Sequence, residues 1–230
     1  MPHYKKPFVI TLLLLFNSSL FASEKVIDTT SGWKPYVGIP GADTASYYQI
    51  GNCKFFEYDD YIVAERSLTG GEIGSDIFIK IRRKKFTEIN CEKMSKNCDM
   101  KIMNKWAQFF LAKKGKYLIV TDGTDERRGL FIYDITKGKN IFQSDFSEPI
   151  RFNYKSELSF WTESKKASGG ECENYDTWKK QGLIPIIEMN VILDLNKIVL
   201  IHLTDTRCAY KKQYQNGYKL HLKQDKIYYE

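Results

Sequence analysis

From Tyr47 onward, apolar and polar positions alternate in short runs separated by turn residues. DIFIKIR is the plainest case: Ile77, Ile79 and Ile81 alternate with Phe78, Lys80 and Arg82. That is the period of two a strand imposes on its side chains. CKFFE turns through Tyr58-Asp59-Asp60 into YIVAE. QFFLA and YLIV flank KKGK, and LFIYD and NIFQS flank ITKGK, so each pair predicts a hairpin. IRFNY and ELSFWTE follow; MNVILDL turns at Asn196 into KIVLIHL; YKLHL and KIYY close the chain. These runs are dominated by β-branched and aromatic residues, which strands favour. The pattern predicts an all-β protein, an antiparallel meander of about 12–14 strands.

Two architectures fit that meander. The stretch GKYLIVTDGTDERRGLFIYDITKGKNIF has the strand, loop, strand, turn, strand order of a generic β-propeller blade, without the motif pairs that mark named propeller families. A sandwich or open barrel explains the same pattern. One stretch alternates with nothing: GECENYDTWKKQGLIP, residues 170–185. Asn174 or Asp176 can cap a helix there, Gly182 suits its left-handed end, and Pro185 forces an extended exit. A short helix near 174–181 is expected, held by Trp178 and a covalent tie at Cys172, because two turns do not persist alone in water.

The N-terminus follows a different logic. Lys5 and Lys6 precede an apolar run from Phe8 to Phe16, followed by polar residues and Ala22. This is the layout of a secretory signal peptide, with cleavage expected after Ala22. The run is shorter than the roughly 20 residues a membrane span requires. The expected organisation is a signal peptide at 1–22, an extended lead at 23–45 rich in Pro and Gly, and one β-rich domain at 46–230. The mature protein is expected to be soluble, in the periplasm or outside the cell.

Export makes disulfides the default for Cys53, Cys91, Cys98, Cys172 and Cys208. No C-x2-4-C pair suggests zinc. The spacing in CEKMSKNC suits a closed hairpin-like loop, so Cys91–Cys98 is expected, together with Cys172–Cys208. Cys53 is left as a buried thiol on a strand.

The whole chain carries a formal charge of +7, and removing Lys5 and Lys6 leaves 7 − 2 = +5. That permits an acidic partner without the strong bias of a nucleic-acid binder. Catalytic patterns are weak. His202 and His221 lie in strand runs, and His202 is read as a strand-end pair with Asp205. No G-x-S-x-G elbow is present. Glu163 and the acids at 171, 173 and 176 could form a glycosidase-like pair. DGTDE at 122–126 is read as a hairpin loop before a calcium loop. The basic run KIRRKK at 80–85 and the tail's Tyr210, Lys211, Lys212, Tyr214, Tyr218 and Lys219 are the candidate binding residues, mixing aromatic and cationic side chains. No metal and no cofactor are expected. The expected function is a non-catalytic envelope binding module for a protein, glycan or anionic surface polymer, with an inhibitor or immunity-type role open; the alternative is a hydrolase using loop carboxylates.

Overall fold

Among the described residues the alternating runs become strands, and within each sheet every strand pairs antiparallel with the next in sequence. This computed structural model describes residues 34–82, 90–105, 107–123 and 127–212. The first sheet holds β1 (Lys34–Tyr36), β2 (Ala45–Ile50), β3 (Cys53–Glu57), β4 (Tyr61–Ser67), β5 (Ser75–Ile81) and β6 (Met100–Ile102) in chain order. The second holds β7 (Gln108–Lys114), β8 (Tyr117–Asp122), β9 (Arg127–Asp134), β10 (Lys139–Phe152), β11 (Glu157–Lys166), β12 (Leu183–Asp194) and β13 (Val199–Lys212). Helix α1 (Cys91–Asn97) lies between β5 and β6, and α2 (Tyr175–Lys180) between β11 and β12.

Among the described residues the predicted meander is therefore present as 13 strands in two sheets. The propeller alternative is not. β8, β9 and β10 are the predicted strand, loop, strand, turn, strand unit, but they continue into β11 to β13 as one sheet rather than ending as a four-stranded blade. Neither sheet closes into a barrel.

The period of two decides which residues each layer buries. Phe56, Val63, Ile77 and Ile79 from the first sheet pack on Phe110, Leu118, Val120 and Phe131 from the second. The other face of the second sheet carries its own continuous core, from Ile119 and Ile132 through Phe146, Leu158 and Phe160 to Val191 and Leu193. The outer face of the first sheet (Tyr48, Phe55, Ile62, Phe78) is covered by α1 through Met94.

The described part of the N-terminal lead is integral to these layers. Residues 34–36 form an edge strand, and Ile39 is buried in the second sheet's core. Gly38 has φ of 76°, and a Cβ there would lie 1.9 Å from the Leu111 carbonyl oxygen. Only glycine lets the lead cross β7 this closely.

One of the two expected disulfides does not form. Cys172 bonds to Cys208 as expected, but Cys53 bonds to Cys91, and Cys98 is the free cysteine. The segment read as a closed loop is α1, capped by Asn90, whose side chain accepts from the Lys93 N–H at 2.8 Å. Seven residues of helix separate Cys91 from Cys98 by about 10 Å at 1.5 Å per residue. A disulfide needs Cα atoms within about 7 Å. The same helix seats Cys91 over β3, where Cys53 lies with a Cα–Cα distance of 5.9 Å.

The hairpin at Asn196 forms as expected. Asp194 Oδ1 accepts from the Asn196 N–H at 2.8 Å, and Asp194 pairs with Val199. The residues of the predicted signal peptide, the tail after Lys212, and Arg83, Lys84 and Lys85 of the basic run lie outside the described residues.

Candidate functional site

β12 and β13 run side by side from the Asn196 turn to Leu183↔Lys212. Alternation puts Cys208, Tyr210 and Lys212 on one face of β13, and Arg207 and Lys211 on the other. The disulfide from Cys208 reaches Cys172, 36 residues away in sequence, which opens the stretch leading to α2. The helix is thereby laid along this end of the sheet, and Trp178 packs on Tyr210 with ring centroids 5.4 Å apart. Gly182 ends the helix at φ 73°, donating to the Lys179 carbonyl at 3.1 Å. The short helix expected near 174–181, tied at Cys172 and packed through Trp178, forms as a clamp on β13.

Lys179 and Lys180 stand exposed in the last turn of α2, and Lys212 is exposed at the end of β13. Neither helix lysine has an ion-pair partner among the described residues. Asp176 lies at the opposite end of the helix, so the charges follow the helix dipole and concentrate the positive end beside Trp178 and Tyr210.

Of the six tail residues expected to bind, Tyr210, Lys211 and Lys212 are described; Tyr214, Tyr218 and Lys219 lie outside the described residues. The structure separates the three. Tyr210 and Lys212 share the clamp face. Lys211 points to the other face, where its ammonium meets both Glu163 carboxylate oxygens at 3.0 and 2.8 Å. Alternation alone contained that distinction.

Of the four carboxylates considered for hydrolysis, Glu163 and Glu171 are engaged, while Glu173 and Asp176 are exposed. Glu163 is held by Lys211. Glu171 pairs with Lys165 and accepts from the backbone and hydroxyl of Ser168. Lys165 foremost, then Ser168, holds the Glu171 carboxyl down at about 2. Glu188, buried on β12, pairs with Arg207 at 2.7 Å and accepts from Ser147. Arg207 also lies 4.4 Å over the Trp161 ring. His202 sits with Nδ1 3.2 Å from Met189 Sδ, so the expected pairing with Asp205 is not made among the described residues. Asp122 of DGTDE turns inward and accepts from the Gly129 N–H. No group of three or more metal-binding side chains comes together among the described residues.

A concave feature lies between residues of the two sheets. A cleft of about 390 Å³ is lined by Lys34, Tyr36, Tyr47, Lys54, Phe56, Glu65, Phe109 and Phe110, among others. None of these stood out in the sequence, because aromatic residues at alternate strand positions read as core. The one available signal was Glu65, an acid within the apolar run YIVAERS.

Comparison with protein-family models, with curated proteins and with solved structures gives no match for this chain.

Proposed function

We propose that the protein is an exported binding module that recognises an anionic partner of the cell envelope through the α2–β13 clamp. The observation that carries this reading is the clamp itself. A disulfide fixes a two-turn helix that could not stand alone, packs Trp178 on Tyr210, and brings the exposed Lys179 and Lys180 to the end of the sheet where Leu183 pairs with Lys212. Preorganised aromatic and cationic groups lose little entropy on binding, which is what a recognition surface requires.

Export rests on the order of residues 1–22 and accords with the two disulfides, which persist in oxidising compartments. Intact mass of the exported protein is expected to begin at Ser23; retention of Met1 would remove the export reading. The hydrolase reading asks one carboxyl to keep its proton near neutral pH. Glu171, held down at about 2 by Lys165 and Ser168, does not meet that demand, which favours binding over catalysis there.

The test is salt-dependent binding to a short dextran sulfate. Binding should weaken between 50 and 200 mM salt, because exposed charges are screened within about 10 Å at 0.1 M. Substituting Glu163→Gln with Glu171→Gln should not weaken it. Binding indifferent to salt would contradict the proposal.

A further inference from the structure

The cleft between the sheets is built from the opposite edges of the fold. Lys34, Tyr36, Tyr47, Lys54, Phe56 and Glu65 all project from the inner face of β1 to β4. The cross-strand pairs Lys34↔Tyr47, Tyr47↔Phe56 and Lys54↔Glu65 set them in two rows. Phe109 and Phe110 come from β7, the edge strand of the second sheet.

That edge is satisfied by side chains rather than by another strand. Glu65 Oε1 accepts from the Phe110 N–H at 3.1 Å, and Tyr36 donates its O–H to the Leu111 carbonyl at 2.8 Å. These two bonds join the two sheets beside the cleft. The ring walls are well ordered against one another. Phe56 lies 4.6 Å from both Tyr36 and Phe110, and 5.3 Å from Tyr47, between ring centroids. Burial, aided by the Glu65 charge, pushes the Tyr36 hydroxyl up to about 12, so it stays a neutral donor fixed on β7.

The charges decide what such a cleft can hold. Glu65 is almost fully buried, and both its oxygens are used, one by Phe110 and the other by Lys54 Nζ at 3.2 Å. It is not available to a ligand cation. Lys54 is partly exposed and spends one of three ammonium donors on Glu65. Lys34 is exposed and has no ion-pair partner among the described residues. Two lysines against one engaged carboxylate leave the mouth positive.

We propose that this cleft is a small-molecule binding site for a planar ring bearing an anionic group, with the ring laid against the half-exposed Tyr36, Tyr47 and Phe109 and the anion at Lys34 and Lys54. Its size fits a compact ligand, at the small end of the 300–1,000 Å³ that is typical of such sites. The site uses none of the α2–β13 residues and stands or falls apart from that surface.

Three naphthalene probes of one shape test it: naphthalene-2-sulfonate, 2-naphthalenemethanol and 2-naphthylmethylammonium, titrated into the full chain and followed by probe fluorescence and by heat. The sulfonate should saturate at one per chain. The neutral alcohol should bind about fivefold more weakly, the order expected for one partly exposed charge contact. The ammonium should be weaker still. Lys34→Glu, a substitution at an exposed position, should weaken the sulfonate about tenfold and narrow its advantage over the ammonium. Tyr47→Ala should weaken all three. Substituting Lys179, Lys180 and Lys212 together by Gln should change none of them. Equal binding of all three probes, sulfonate binding untouched by Lys34→Glu, or no saturable binding in a protein with native circular dichroism would each overturn the site.

Discussion

Replacing Cys172 and Cys208 together by serine removes the covalent tie of the clamp, and the cost can be worked from the chain. The bond closes a loop of 36 residues. In chain-entropy terms a loop of this size withholds about 13 cal/mol/K from the unfolded chain, or about 4 kcal/mol at 25 °C. That is a substantial share of the roughly 5–15 kcal/mol by which domains are stable. For a domain of this size, each kcal/mol moves the melting temperature by about 2–4 °C, so the double variant should melt about 8–16 °C lower. Urea unfolding gives the free energy directly. The local effect should be separable, because α2 buries no side chain fully and, among the described residues, its ring contact is Trp178 on Tyr210. Trp178 should become more accessible to quenchers well below the unfolding transition. A loss under about 1 kcal/mol, or unchanged Trp178 quenching, would refute the view that the disulfide holds the helix in place.

Other outcomes follow from single contacts. Lys113 is buried, bridges Asp43 at 3.0 Å and Asp60 at 2.9 Å, and lies 4.7 Å from the Tyr58 ring centroid; Lys113→Met should cost about 1–3 kcal/mol in urea unfolding, less than a fully buried pair because both acids reach solvent. Glu171 has its folded pKa lowered from 4.5 to about 2, so its contribution is present above the unfolded value and lost as pH falls through the folded one. Glu171→Gln should accordingly lower the melting temperature at pH 6, with the difference from the parent protein shrinking between pH 4.5 and 2; a difference that persists at pH 2 contradicts the assignment. Without reduction, one thiol per chain should react with a thiol reagent, at Cys98, and slowly, since burial pushes that thiol up; labelling of Cys53 or Cys91 instead would refute the pairing.

The strands were legible because one residue in two is apolar and the turns carry Gly, Asn and Asp, so local pattern and tertiary burial agree. β10 was harder. NIFQS and IRFNY read as two strands around Pro149, but the chain runs through as one, absorbing the proline at a register shift between Ser147 and Arg151. α1 was missed because its flanking cysteines suggested a loop, although Asn90, Glu92 and Lys96 already spelled a cap and a dipole-matched turn. The Cys53–Cys91 bond depends on how a helix lies across a sheet, which no spacing encodes. Lys211 and Lys212 read alike in sequence and differ only by the face each occupies. The cleft was the least legible feature, because its walls come from two sheets whose packing is set by long-range contacts.

The central claim is that charge placed on the clamp, rather than net charge, recognises an anionic partner. Two charge-matched variants test it against dextran sulfate at one salt concentration. One replaces Lys179, Lys180 and Lys212 by Gln; the other replaces the exposed Lys101, Lys139 and Lys155, which lie elsewhere on the sheets and turns. The account predicts that the clamp variant loses at least tenfold in affinity and the control less than threefold, on the order of one to a few surface charge contacts. Equal losses in the two variants would show that the protein binds polyanions through its net charge alone and would contradict the claim.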